Sequence, residues 1–138
     1  MKRKLFIALF FCFIISFKIY SQEDKHPIDV YLDSCMEINP STAGMVRCTD
    51  EAIKMWDNEL NKFYKLLIKT LDGESVNILK SAQVEWIVFR DKEFANIENI
   101  YSRKEGTMYI PMQLFSRLEI IKARALQLQD YYELLTEN

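Results

Sequence analysis

A long stripe of apolar residues in the middle of the chain is interrupted by two polar residues, Gln83 and Arg90. The stripe recurs at steps of three and four, which places its members on one face of an α-helix. Its members are Val76, Leu79, Gln83, Trp86, Arg90, Phe94, Ile97 and Tyr101. A buried amide without a partner costs about 1–3 kcal/mol, and a lone buried guanidinium costs more. The stripe therefore predicts a helix that packs against an element carrying complementary polar groups.

Suitable polar groups occur upstream, where Asp57, Asn61 and Tyr64 are spaced by four and three residues. This spacing places a carboxylate, an amide and a phenol on one helical face. We expect Arg90 to pair with Asp57. We also expect Gln83 to bridge the amide of Asn61 and the phenol of Tyr64. The pattern predicts a hairpin of two helices held in register by these contacts, which favours a structural role over a binding role.

The first 21 residues have the three parts of a secretory signal peptide. Basic residues at positions 2–4 precede an apolar run over residues 5–17, and Ile19 and Ser21 suit the positions before a cleavage point. The run is shorter than the roughly 20 residues that span a bilayer, so we expect cleavage after Ser21 and no stable membrane insertion afterwards. An uncleaved N-terminal anchor is the alternative.

Cleavage would leave one chain of a size suited to one hydrophobic core. Residues 22–27 are polar and expected to be flexible, and residues 28–138 are expected to form a single helical domain. The signal segment holds four of the 18 basic residues and none of the 20 acidic ones, so the remainder is acidic. This charge argues against nucleic acid as a partner and permits attraction to a basic protein. Solubility is the simpler explanation for the charge.

Two cysteines, Cys35 and Cys48, remain in a chain bound for an oxidising compartment. A disulfide between them would contribute about 3 kcal/mol in the chain-entropy model. The alternative is a metal site that includes His26, the only histidine. Its spacing from Cys35 fits no common zinc pattern, so we predict a disulfide and no metal.

The apolar periodicity predicts four helices and no strand. A short helix ends before Asn39, because the following proline disfavours helical angles. A second helix, capped by Ser41 or Thr42, extends to about residue 71, and a third, capped by Ser75, spans about residues 75–104. The last begins near Pro111, which suits a first helical turn. Long helices joined by short turns predict an all-α, elongated antiparallel bundle of three long helices plus one short N-terminal helix.

The sequence lacks the usual signatures of catalysis. It has no nucleophile elbow and no glycine-rich phosphate loop, and His26 lies in the polar N-terminal segment. Neighbouring carboxylates such as Asp91 and Glu93 are typical of a solvated helix face. We therefore predict a protein that is not an enzyme and needs no cofactor.

The spaced polar residues also carry a resemblance to a known family. Asp57-x-x-Leu60-Asn61-x-x-Tyr64, then Ala82-Gln83-x-x-Trp86-x-x-x-Arg90-Asp91, and later Arg124 and Leu128 follow the family's order. In these motifs the chain resembles the LprI-type lysozyme-inhibitor N-terminal domain, a family of small exported bacterial proteins. We use "polar cluster" for the motif's polar and aromatic positions, which are Asp57, Asn61, Tyr64, Gln83, Trp86, Arg90, Asp91 and Arg124.

The resemblance implies an exported binding protein, periplasmic or extracellular, that inhibits a lysozyme-type muramidase by protein contact. The alternative is a structural or interaction module of the cell envelope. The sequence leaves the oligomeric state open. Many members carry a second cysteine pair, whose places correspond here to Phe94 and to Phe115 or Ser116. Phe94 and Phe115 are expected to pack together instead of a disulfide. Two turns are expected to supply partner contacts, at Asp72, Gly73, Glu74, Ser75, Glu105 and Tyr109.

Overall fold

The computed structural model describes residues 25–137, so the predicted signal peptide lies outside the described residues. Four helices occur within this range and no strand does, which confirms the all-α prediction of one short and three long helices. They are α1 (Pro27–Ile38), α2 (Thr42–Thr70), α3 (Gly73–Tyr101) and α4 (Tyr109–Thr136).

The helix starts follow from local capping chemistry. The Ser41 hydroxyl accepts a hydrogen bond from the Gly44 N–H at 3.1 Å and caps α2, one of the two expected positions. A Cβ atom at Gly44 would lie 2.4 Å from the carbonyl oxygen of Asn39, so the turn before α2 requires glycine there. Asp72 caps α3 by accepting from the Ser75 N–H at 2.9 Å. The expected cap at Ser75 is therefore wrong, because the stronger acceptor lies three residues earlier.

The main core lies between α2 and α4, which make the most extensive helix contact. Trp56 and Leu67 of α2 are almost fully buried, as are Leu118 and Leu128 of α4. Each such side chain stabilises the fold by about 1.5–3 kcal/mol relative to exposure. The apolar faces predicted in α2 and α4 therefore pack against each other.

Helix α1 is attached to α2 and α4 by covalent, polar and aromatic contacts. The predicted disulfide joins Cys35 to Cys48. His26 caps α1 by accepting from the Ile28 N–H at 3.2 Å, and its ring lies 4.2 Å from that of Trp56. Asp29 of α1 forms a 2.7 Å ion pair with Lys122 of α4. The Nζ atom of Lys122 also lies 5.5 Å from the Trp56 ring centre, so His26 and Lys122 both contact this buried ring.

Helix α3 contacts α4 and has few contacts with α2. The prediction that α3 packs closely against α2 is therefore wrong, because the main partner of α3 is α4. Only Leu79, Gln83 and Ile97 of α3 are buried. All eight members of the predicted stripe are nevertheless at least partly buried, so the predicted contact face of α3 is confirmed.

Candidate functional site

The Gln83 side chain is buried at the contact between α3 and α4, where its partner is Arg124. The Nε and Nη2 atoms of Arg124 donate hydrogen bonds to Oε1 of Gln83 at 3.1 and 2.9 Å. Its Nη1 atom donates to Oε1 of Gln127 at 2.5 Å. Burial lowers the pKa of Arg124 below its usual value, yet a guanidinium stays charged at neutral pH. A buried cation is thus held by two neutral amide oxygens.

Three arginines alternate with two aromatic rings along the same contact between α3 and α4. The Arg124 and Arg90 guanidinium carbons lie 5.9 and 5.5 Å from the ring centre of Trp86. Arg90 and Arg117 lie 6.0 and 5.4 Å from the ring centre of Phe94. Each such contact is worth about 0.5–1 kcal/mol at an exposed site. The series joins the two helices where apolar burial is sparse.

The expected pairing of the polar cluster between α2 and α3 is wrong. Arg90 donates to the carboxylate of its neighbour Asp91, at 2.9 Å from Nε and 2.7 Å from Nη2, and forms no ion pair with Asp57. Asn61 donates to Asp57 on its own helix at 3.0 Å. Within residues 25–137, the Tyr64 hydroxyl forms no hydrogen bond. The physical reason is the separation of α2 from α3, which leaves their polar groups to satisfy themselves locally or with water.

The two turns that were expected to contact a partner differ in structure. Asp72 is a helix cap, and Gly73, Glu74 and Ser75 form the first turn of α3. The connection between α2 and α3 is therefore limited to residues 71 and 72. The second turn is a true loop over residues 102–108, shaped by Gly106 with a φ of 109°. Its Glu105 side chain is exposed, and Tyr109 begins α4.

Beside this loop lies a pocket of about 420 Å³ that sequence reasoning missed. We call it the methionine pocket, and its lining residues are Met36, Pro40, Thr42, Met45, Met108, Pro111, Met112 and Phe115. The residues come from the end of α1, the start of α2 and the start of α4. The disulfide holds the first two segments together at this end. Met36 and Met45 lie more than 60 residues before Met108 and Met112, so no local pattern reports the convergence of the two pairs.

The family model described as lysozyme inhibitor LprI matches residues 35–128, which is more than half of the chain. The chain belongs to the LprI family. This range contains the disulfide, the whole polar cluster, the loop at residues 102–108 and the methionine pocket. The resemblance seen in the sequence motifs is thereby confirmed.

A crystal structure of an uncharacterized protein from Burkholderia thailandensis is similar to this LprI-family chain, with 30% sequence identity and a TM-score of 0.76. The match covers 82% of this chain and 56% of the other. The LprI-family chain thus spans little more than half the length of that protein. No functionally curated protein matches it in sequence.

The expected packing of Phe94 against Phe115 is not what the structure shows. Phe94 lies beside Arg117, whereas Phe115 lines the methionine pocket, so the two rings serve different surfaces. The Tyr101 and Ser116 hydroxyls share a hydrogen bond of 3.1 Å, and Arg117 pairs with Glu98 at 3.2 Å. Near Phe94 and Tyr101, polar contacts and the cation–π contact of Arg117 therefore join α3 to α4 in this LprI-family member.

Two classes of feature are absent from the part of the chain that the structure describes. Residues 25–137 contain no group of three or more histidine, cysteine or acidic side chains placed to hold a metal ion. In the same range, no helix is both long and apolar enough to cross a membrane.

Proposed function

We propose that this LprI-family protein is an exported, non-enzymatic protein that binds and inhibits a lysozyme-type muramidase. The family match over residues 35–128 is the observation that carries the proposal. The basic and apolar start of the sequence supports export to the periplasm or beyond, with removal of the first 21 residues.

We place the partner contact at the end of the molecule that carries the disulfide, and call it the loop end. It comprises the loop at residues 102–108 and the methionine pocket. Met108 and Met112 are 61% and 44% exposed in the pocket wall, so a partner can reach both side chains. Flexible methionine side chains adapt to the shape of a bound group, which suits them to an interface. An apolar residue of the partner would occupy the pocket.

Charge supports the choice of partner. The chain without its first 21 residues is acidic, whereas lysozymes are typically basic, so long-range attraction favours their encounter. Glu105 is exposed in the loop and has no salt-bridge partner within residues 25–137. Its carboxylate is therefore free to meet a basic side chain of the enzyme.

The direction of the long helices supports the same surface. Gln83 of α3 contacts Arg124 of α4, whereas Tyr101 contacts Ser116, so later positions of α3 meet earlier positions of α4. This order supports the elongated bundle with alternating helix directions. In that arrangement the loop and the methionine pocket occupy one extremity, where they could enter a cleft without hindrance from the helices.

A turnover assay with purified protein and several lysozymes tests the proposal. Met112→Glu should weaken inhibition at least tenfold, because it places a charge in the apolar pocket, and about 1.4 kcal/mol suffices for that factor. Leu134→Glu is the matched control, since it changes an exposed apolar residue near the other end of α4. Glu105→Lys should also weaken inhibition, whereas Glu74→Lys at the opposite end of α3 should not.

Absence of inhibition with every lysozyme type would remove this proposal. The structural or interaction module of the envelope would then be the function to test, by capture of an envelope protein. Equal effects of Met112→Glu and Leu134→Glu on inhibition would retain the activity but contradict the loop end as the contact surface.

A further inference from the structure

The outward face of α3 carries a second apolar stripe, distinct from the face that contacts α4. Ile78, Phe89 and Ile100 are each eleven residues apart, a spacing that returns to nearly the same side of a helix. Their exposed fractions are 66%, 53% and 50%. Helix α3 contacts α4 through Gln83 and Tyr101, and the three side chains lie about a third of a turn away from those residues. Phe89 also borders a pocket beside Ala123 of α4.

Two opposite charges flank the central ring of this stripe. Glu85 precedes Phe89 by four residues and Lys92 follows it by three, so both lie on the side of the helix that carries Phe89. Both side chains are exposed. In the described chain, neither forms a salt bridge. They are too far apart along the helix to pair with each other.

Two copies of this five-residue stripe match each other when the second copy runs in the opposite direction. Placed antiparallel about a twofold axis at Phe89, one copy of α3 would set its Ile78 against Ile100 of a second copy. The same operation sets Glu85 against Lys92 and Phe89 against itself. A twofold interface uses one patch on both subunits, so each contact occurs twice. The charges would therefore form two favourable pairs around an aromatic centre.

We propose that a second copy of this chain binds the outward face of α3, forming a twofold symmetric dimer through an antiparallel pair of α3 helices. The apolar contact is narrow, so the dimer is weak and concentration-dependent. The loop end remains open in each copy, and one dimer can present two loop ends.

Charge reversal tests the dimer without disturbing the core. In sedimentation equilibrium, Glu85→Lys and Lys92→Glu should each weaken self-association by roughly tenfold, because they turn attraction into repulsion at two symmetric positions. An equimolar mixture of the two variants should recover association, since each then meets its opposite charge. The double variant should likewise associate as the unmodified protein does. Circular dichroism spectra of both single variants should match that of the unmodified protein.

Three results would overturn the dimer. The first is a monomer at every concentration up to the solubility limit. The second is unchanged self-association in both charge variants. The third is a Phe89→Ser variant that keeps its self-association but loses inhibition of lysozyme, which would assign this face to the enzyme instead. The turnover assay of Met112→Glu is independent of all three, because that residue lies at the loop end.

Discussion

At the scale of single residues, the contact between Gln83 and Arg124 matters most. Two buried side chains that are 41 residues apart in the sequence meet there, and the guanidinium has only neutral acceptors. Removing an acceptor from a buried cation costs more than removing an exposed salt bridge, because the cation retains its desolvation penalty.

Gln83→Leu should therefore lower the free energy of unfolding by about 3 kcal/mol. For a domain of this size that corresponds to a fall in Tm of roughly 10 °C. Arg90→Ala should cost about 1 kcal/mol or less, because Arg90 loses only a neighbouring carboxylate and two ring contacts. Differential scanning calorimetry of both variants shows which one loses more stability. A larger loss for Arg90→Ala would restore the pairing with Asp57 that the sequence suggested.

At the scale of helices, capping decides where α3 begins. Hydrogen bonding from Ser75 lowers the pKa of the Asp72 carboxyl below its ordinary value. A carboxyl whose pKa is lower in the folded state stabilises the fold at pH values above its unfolded pKa of about 3.9. This stabilisation is lost as the pH falls through the folded pKa.

Asp72→Ala should consequently lower the Tm at neutral pH, and the difference from the unmodified protein should narrow below about pH 4. Asp72→Asn is the matched control, because asparagine caps helices without titrating. Thermal unfolding followed by circular dichroism across the pH range measures both. A Tm difference for Asp72→Ala that stays constant down to pH 2 would assign the effect to something other than the carboxylate.

The helices also show what periodicity reports and what it leaves open. The face of α3 that includes Gln83 and Arg90 was predicted correctly, because spacing alone fixes a helical face. The partner was not, because Arg124 lies 41 residues beyond Gln83 and spacing does not tell which helix covers a face. The outward stripe centred on Phe89 was missed for another reason. Its eleven-residue spacing is present in the sequence, but three apolar residues at such wide steps do not form the regular period of three and four that marks a helical face.

At the scale of the whole molecule, tight packing of α2 on α4 contrasts with the lightly buried α3. The helix count and the disulfide were predictable, since both depend on local residues or on a single possible cysteine pairing. The methionine pocket was not, because Met36 and Met112 come from separate helices whose approach depends on the tertiary fold. The motifs identified the family, and the loop end lies at positions outside those motifs.

Hydrogen–deuterium exchange of the protein with and without an inhibited lysozyme tests the central claim, that the loop end binds the enzyme. Exchange should slow within residues 102–109 on addition of the enzyme, while residues 71–75 at the opposite end of α3 remain unchanged. Slowed exchange confined to residues 71–75 or to the outward face of α3, with none at residues 102–109, would contradict it.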